Sequence, residues 1–218
     1  MKKIFICGVD EAGRGAFAGP LVTAAVVFNS NFDFKKVTNL VVKDSKELTN
    51  KKRLEIFKVI INTCEDWAFE TISVEDINNR GINWANLEGF ARLIKKLKAD
   101  EYIIDGRWKL ENVFKVHGVS RRLSIRTQIG GDRLISSVMA AGIIAKVERD
   151  KIMCQLHELY PEYKWNTNTG HGTKYHIEAI IEFGETEFHR NLYVQTGLRN
   201  YRKRGYEKNK QFFGLGKY

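Results

Sequence analysis

Four acidic residues flank apolar segments of this chain in positions suited to metal-dependent chemistry. They are Asp10, Glu11, Asp105 and Asp132. If they gathered in one place, their carboxylates would repel one another unless they were protonated or bound to cations. Carboxylate-rich, histidine-poor sites suit Mg²⁺ or Mn²⁺, and two such ions about 3.5–4 Å apart can activate a water to attack a phosphodiester. The residue types therefore indicate a hydrolytic metal site.

Each carboxylate also has a simpler interpretation. Asp105 stands in an Asp-Gly pair typical of a plain turn, Asp132 is a suitable cap for the helix after it, and the pair Asp10-Glu11 fits an ordinary loop. Side chains that follow one another on a strand point to opposite faces, so Asp10 and Glu11 converge on one ion only if the backbone turns there. Two glycines in the next loop would permit that turn, Gly13 and Gly15. The combination of four acids favours the metal site.

Apolar runs predict the strands that must position these acids. Residues 4–9 and 21–28 are predicted to form a strand and a returning strand, joined by a glycine-containing loop. Residues 67–72 alternate as a strand does, and residues 102–104 form a short apolar strand that ends at Asp105. Three of the four acids are thus predicted at strand ends.

Helical spacing predicts the remaining elements. A helix is predicted over residues 49–64 with Thr49 as its cap, and Ser73 or Asn83 is predicted to cap the helices that follow. A long amphipathic helix is predicted over residues 135–160. Strands early in the chain and helices later predict an α/β fold, with a central mixed β-sheet flanked by helices and a helical, basic C-terminal extension.

Composition limits the class of protein. The chain has 218 residues, with 36 Lys and Arg against 26 Asp and Glu, and a net charge of +10. That charge attracts polyanions such as nucleic acid, although solubility alone would also explain it. No apolar run approaches the roughly 18–20 residues of a membrane span. Three cysteines without a Cys-x-x-Cys pair support neither a disulfide framework nor a zinc knuckle, and they favour a reducing, cytoplasmic compartment.

The composition changes towards the C-terminus. Between residues 199 and 210 six cations face one acid, with Tyr201 and Tyr206 interleaved. Such a segment is either an arm that contacts nucleic acid or a solvated tail. We therefore expect a catalytic domain over residues 1–195, a basic segment over residues 196–218, and a monomeric protein.

Residues 8–15 read Gly-Val-Asp-Glu-Ala-Gly-Arg-Gly, and residues 19–22 read Gly-Pro-Leu-Val. These motifs resemble the opening signature of the type 2 ribonucleases H. The resemblance covers most of residues 4–193. The further matching blocks are Lys43-Asp44-Ser45-Lys46-Glu47-Leu48, Ile104-Asp105-Gly106, Gly131-Asp132, residues 140–147 with Arg149-Asp150, and His189-Arg190.

The resemblance implies a ribonuclease H-like fold. It also implies a metal-dependent endoribonuclease that cleaves the RNA strand of RNA/DNA hybrids and ribonucleotides embedded in duplex DNA, leaving 3′-hydroxyl and 5′-phosphate ends. It assigns one or two Mg²⁺ or Mn²⁺ ions to the four acids singled out above, namely Asp10, Glu11, Asp105 and Asp132.

The resemblance further assigns substrate contacts. The loop Gly13-Arg14-Gly15 would recognise the ribose 2′-hydroxyl, because small residues let the backbone approach the sugar closely. Lys46 and Lys146 would contact phosphate or balance charge near the site, unless they are ordinary surface lysines.

Two positions depart from the family pattern. Where the family usually has Lys-Gly-Tyr-Gly-Thr, residues 169–173 read Thr-Gly-His-Gly-Thr, so His171 replaces the tyrosine that packs on the sugar at an RNA-to-DNA junction. An imidazole can still stack there, but it is smaller than a phenol. The usual Ala-Ala-Ser ends here in Gly142, which should cost about 1 kcal/mol of helix stability unless close packing needs it.

Two rival functions differ from a ribonuclease of this type. A catalytically weak nucleic-acid-binding module would use the basic C-terminus for contact, but it gains nothing from four acids that face phosphates. A type 3 ribonuclease H would share the core, without junction preference, and usually adds a sizeable N-terminal domain. Because the matching core begins at residue 4, we expect no such domain.

Overall fold

A five-stranded mixed sheet organises the part of the chain that the computed structural model describes, which comprises residues 3–33, 36, 48–112 and 118–204. The strand order is β3-β2-β1-β4-β5. Strands β1 and β3 pair antiparallel with β2, whereas β4 pairs parallel with both β1 and β5. The strands are β1 (Phe5–Ala12), β2 (Leu21–Asn29), β3 (Asp66–Ile72), β4 (Glu101–Asp105) and β5 (Ile125–Gln128).

Helices cover both faces of this sheet. In chain order they are α1 (Asn50–Thr63), α2 (Val74–Arg80), α3 (Ile82–Lys96), α4 (Gly131–Leu134), α5 (Ser136–Leu159), α6 (Trp165–Asn168), α7 (Lys174–Phe183) and α8 (Asn191–Lys203). Helices α1 and α5 pack on one face, and α3 packs on the other. The predicted α/β fold with a mixed, helix-flanked sheet is confirmed.

Strand β2 shows why its sequence is apolar throughout. Ala25 and Val27 pack with α3, whereas Ala24 and Val26 pack with α5. Alternate residues of a strand face opposite sides, and both sides are covered here, so every position from Leu21 to Phe28 is buried.

The cap residues mark two helix starts as predicted. Thr49 Oγ1 accepts a hydrogen bond from the Lys52 amide at 3.3 Å, and Ser73 Oγ accepts one from the Asp76 amide at 3.0 Å. Asn83, the alternative cap, lies within α3. The predicted long helix over residues 135–160 corresponds to α5.

The backbone does not turn between Asp10 and Glu11, although such a turn is the condition under which both side chains would converge on one ion. Strand β1 continues to Ala12, with Asp10 opposite Ala24 and Glu11 opposite Thr23 on β2. The ladder with β2 keeps this segment extended, so the two acids leave the strand on opposite faces.

The described residues cover only part of the predicted basic C-terminal segment. Tyr201 is buried in α8, and its hydroxyl donates to Glu178 Oε1 at 2.8 Å, so its ring packs inside the protein. Tyr206 and two of the six cations, Lys208 and Lys210, lie outside the described residues, as does Lys46. The division at residues 195 and 196 falls within α8 and stays a prediction. No described helix is long and apolar enough to cross a membrane.

Candidate functional site

Parallel strands bring the predicted acids to one edge of the sheet. Val9 of β1 is level with Ile104 of β4, so Asp10 and Asp105 follow side by side. Asp132 lies on α4, just after β5, and the amide of the preceding Gly131 donates to Asp105 Oδ1 at 2.8 Å. A cavity of about 390 Å³ is lined by all four acids, Asp10, Glu11, Asp105 and Asp132.

The alternative role of Asp132 as a helix cap is not found. The cap positions of α4 and α5 are Gly130 and Ile135, and neither cap makes a side-chain hydrogen bond to its helix. Asp132 lies between them, half-buried, in the wall of the cavity.

Burial and repulsion among the acids raise the pKa of two of them, Asp10 and Asp105. Burial, followed by the charges of Glu11 and Asp105, raises the pKa of Asp10 well above its usual value. Burial and Asp132 also raise the pKa of Asp105, against the lowering effect of backbone hydrogen bonds. A bound proton or cation would relieve this repulsion.

Gly142 leaves room for the Asp10 carboxylate. A Cβ atom at this position of α5 would overlap Asp10 Oδ2. The glycine that weakens the helix therefore lets the Asp10 carboxylate keep its present position.

The four acids have the donor atoms that a divalent cation needs, but in the present arrangement they are not placed around one ion. Among the described residues, no group of three Asp, Glu, His or Cys side chains is placed so that it could hold a metal ion. The donors are nevertheless all carboxylate oxygens, the ligands that Mg²⁺ and Mn²⁺ prefer, and a cation would remove the repulsion that raises the Asp10 pKa.

Arg190 anchors the glycine-containing loop beside the acids. Its guanidinium donates to the carbonyl oxygens of Gly13 at 2.7 Å and Arg14 at 3.0 Å, and through two nitrogens to that of Gly19 at 3.0 and 2.8 Å. The side chain is fully buried, and burial followed by the charge of Arg149 lowers its pKa to about 9.

Arg149 supports the same loop from α5. It donates to the carbonyl oxygens of Ala18, Pro20 and Thr169 at 3.1, 3.1 and 2.8 Å. Burial lowers its pKa to about 10. A side chain on Gly13, where φ is +89°, would overlap this guanidinium, so the loop requires glycine there.

Sequence reasoning assigned no role to either arginine. Spacing gives a signal for Arg149, because it continues the buried stripe of Ala141 and Ala145 at four-residue intervals. A charged residue at the end of such a stripe must be paired or hydrogen-bonded. Arg190 gives no comparable periodic signal.

The predicted substrate loop exposes Gly15 and turns Arg14 back onto the protein. Arg14 Nη2 donates to Asn83 Oδ1 at 2.8 Å, and its guanidinium carbon lies 4.7 Å from the Trp108 ring centroid. Open space surrounds Gly15, so its backbone is accessible.

The predicted basic contacts lie in the same cavity as the acids. Lys146 Nζ donates to Asp150 Oδ1 at 2.7 Å, and the buried Arg53, which the sequence did not single out, lies 3.8 Å from Asp150 Oδ2. His171 lines the cavity and is exposed to solvent. Partial burial, Arg149 and Lys146 lower its pKa, so its ring is neutral at pH 7.

A family model and individual relatives both match this chain, and they carry the same description. The family model for ribonuclease HII matches residues 7–196. Ribonuclease HII of Pelagibacter ubique is 40% identical over 190 residues, covering 86% of this chain and 95% of the relative.

Solved structures match the fold. The ribonuclease H2 of Pyrococcus horikoshii OT3 has a TM-score of 0.73 and 24% identity, covering 92% of this chain and 100% of its own. Bst-RNase HIII in complex with Mn²⁺ has a TM-score of 0.69 and 20% identity, covering 93% of this chain and 71% of its own.

Proposed function

Because this chain belongs to the ribonuclease HII family and is a ribonuclease H-type nuclease, we propose that it cleaves the RNA strand of RNA/DNA hybrids and ribonucleotides embedded in duplex DNA. The products would carry 3′-hydroxyl and 5′-phosphate ends. One observation carries the proposal: four acids line a single cavity together with Lys146, Arg53 and His171. Acids are suited to the chemistry, and the cations beside them to phosphate attraction.

The four acids would hold one or two Mg²⁺ or Mn²⁺ ions. When bound, these ions supply an activated water and stabilisation of the leaving oxygen. The protein's part is to keep the donors at the edge of the sheet, where β1 and β4 place Asp10 and Asp105 level with each other. The match to Bst-RNase HIII, solved with Mn²⁺, supports this metal dependence.

The loop beside the acids would select the ribonucleotide. Arg190 fixes the carbonyl oxygens of Gly13 and Gly19, and Gly15 remains open to solvent. A fixed, accessible backbone can approach a 2′-hydroxyl closely, and this hydroxyl distinguishes RNA from DNA. His171 would stack on the sugar at the junction, in the place of the family's tyrosine.

Phosphate attraction would come from the cations around the cavity. Lys146 is held by Asp150 at 2.7 Å and lies in the cavity wall. Lys46 is proposed as a second contact from the sequence. The proposal also takes residues 1–195 as the catalytic domain, residues 196–218 as a basic segment near the duplex, and the chain as a cytoplasmic monomer.

A cleavage assay on three matched duplexes tests the proposal. One duplex is all DNA, one carries a single ribonucleotide, and one is a continuous RNA/DNA hybrid. Each is incubated with Mg²⁺, with Mn²⁺ and with excess chelator. We expect cleavage of the two ribonucleotide-containing duplexes only, and only with metal; cleavage in chelator, or equal cleavage of all three duplexes, would refute the proposal.

The variant His171→Tyr, assayed in parallel, tests the junction contact. If His171 stacks on the sugar, the larger phenol should raise the ratio of single-ribonucleotide to hybrid cleavage. An unchanged ratio would remove His171 from the substrate contacts and leave the metal site intact.

A further inference from the structure

Two buried histidines form a chain of hydrogen bonds behind the cavity. His176 and His189 are 0% and 1% exposed, and their Nε2 atoms lie 3.1 Å apart. His176 Nδ1 lies 2.9 Å from the backbone oxygen of His171. The Trp165 indole N–H donates to His176 Nε2 at 3.1 Å, and the Thr186 amide donates to His189 Nδ1 at 2.9 Å.

These contacts determine which nitrogen carries each proton. Since His189 Nδ1 accepts from Thr186, the proton of a neutral His189 is on Nε2 and is donated to His176 Nε2. His176 Nε2 therefore accepts from both His189 and Trp165, and the proton of His176 is on Nδ1, where it is donated to the His171 oxygen. With both rings neutral, every ring nitrogen has a partner.

The end of this chain is the turn that carries His171. The His171 oxygen also accepts from the Thr173 amide at 2.8 Å, and the His171 amide donates to the Asn168 oxygen at 2.9 Å. The adjacent Gly170 oxygen accepts from the amides of Phe17 and Ala18 at 2.7 and 3.1 Å. The turn is thus fixed on one side to the glycine-containing loop and on the other to His176.

We propose that His176 and His189 are positioning residues that fix the backbone of His171 and thereby aim its ring into the cavity. The inference rests on the proposed function, because the cavity is there the substrate site. His189 sets the tautomer of His176, and His176 then donates a side-chain hydrogen bond to the His171 oxygen. Both histidines are buried, and neither lines the cavity that holds the four acids.

Asn and Gln, placed at position 176, should each preserve one of the two hydrogen-bonding functions of the His176 ring. The Asn amide reproduces the Nδ1 donor, whereas the Gln oxygen reproduces the Nε2 acceptor. His176→Gln should lose the bond to the His171 oxygen, and His176→Asn should keep it. The control is Tyr163→Phe, which removes a partly buried hydrogen bond to the Gly184 oxygen at 3.0 Å and makes no change at His171.

Kinetics on the single-ribonucleotide duplex give the first readout. We expect His176→Gln to lower kcat/KM about tenfold, with His176→Asn restoring most of it and Tyr163→Phe changing it little. In a His171→Ala background the loss from His176→Gln should vanish, because the ring it positions is gone. An equal loss in both backgrounds would overturn the proposal.

Two further readouts need no activity. Nitrogen-15 NMR at pH 7 should show His176 protonated on Nδ1 and His189 on Nε2, and amide hydrogen exchange at Thr173 should be faster in His176→Gln than in Tyr163→Phe. The opposite tautomers, or equal exchange, would refute the positioning role. If the wild type cleaved no duplex, the proposed function would fail while these two measurements still decided the inference.

Discussion

The guanidinium of Arg190 donates a 2.7 Å hydrogen bond to the backbone oxygen of Gly13, a residue 177 positions earlier in the chain. This bond joins the start of α8 to the loop that follows β1. The loop lies beside the acids. Because of this bond, its conformation depends on Arg190, a residue near the far end of the described chain. Its geometry depends on this tertiary contact as well as on its own glycines.

Arg190→Lys should loosen this loop. A lysine cannot reproduce the fork that reaches Gly13, Arg14 and Gly19 together, so buried carbonyl oxygens lose their donors. We expect the free energy of unfolding to fall by about 2–4 kcal/mol and KM for the single-ribonucleotide duplex to rise. Urea denaturation and steady-state kinetics measure the two effects. Arg126→Lys, at an exposed ion pair with Glu101, should change stability by less than about 1 kcal/mol, and equal losses in both variants would contradict the assignment.

Asp10→Asn should abolish cleavage while stabilising the metal-free protein. The pKa of Asp10 is raised in the folded state, so its ionisation destabilises the fold, and this loss grows as pH rises above the usual value of 3.8. Removing the charge should raise the stability of the metal-free protein at pH 8, and it should lower kcat by about 10²–10³-fold or more in the presence of metal. Thermal unfolding with and without Mg²⁺ checks this: Mg²⁺ should raise Tm of the wild type only. A Mg²⁺-dependent rise in the variant would argue against Asp10 as a ligand.

Gly142→Ala should lower activity without lowering stability. Alanine favours the helix by about 1 kcal/mol, but its Cβ would overlap Asp10 Oδ2 and displace that carboxylate. We expect Tm to stay level or rise while kcat falls about tenfold. Thermal melts and kinetics decide the matter, with Gln155→Ala as a control because it places alanine at an exposed position later in the same helix, α5. Unchanged kcat would show that Asp10 tolerates the shift.

Acid should destabilise the protein through its buried histidines. Burial, and then His176, lowers the pKa of His189 from 6.5 to about 4, and burial also lowers the pKa of His176. A depressed histidine pKa means that the unfolded chain binds the proton more tightly. These histidines therefore leave the free energy of unfolding unchanged above pH 6.5 and reduce it as pH falls from about 6.5 to 4. For His189 the reduction amounts to about 3 kcal/mol.

Urea denaturation across pH 4–7.5 measures this dependence. His189→Gln should make the curve less steep between pH 6.5 and 4, because the variant lacks the ring whose pKa is lowered to about 4. Tyr163→Phe removes a hydrogen bond but no imidazole, so it should lower stability without changing this slope. A slope that survives in His189→Gln would place the acid sensitivity elsewhere.

Local sequence determined much of the fold. Thr49 and Ser73 cap their helices because a hydroxyl satisfies an amide two or three residues away, which is a short-range effect. The apolar run of β2 reports burial on both faces, and the apolar run before Asp105 places that acid at the end of a strand. The types of the four acids, together with their positions after strands and before a helix, were enough to single them out.

Tertiary structure alone decided how these parts meet. The pairing of β1 with β2 keeps Asp10 and Glu11 extended on opposite faces, which local glycines did not reveal. The short, polar strand β5 forms because β4 offers it an edge. Arg149 and Arg190 donate to backbone oxygens more than 100 residues away, and His176 pairs with His189 across 13 residues, so no local pattern shows which partners they meet. The sequence therefore determined the chemistry of this protein, and its tertiary contacts determined the geometry in which that chemistry is placed.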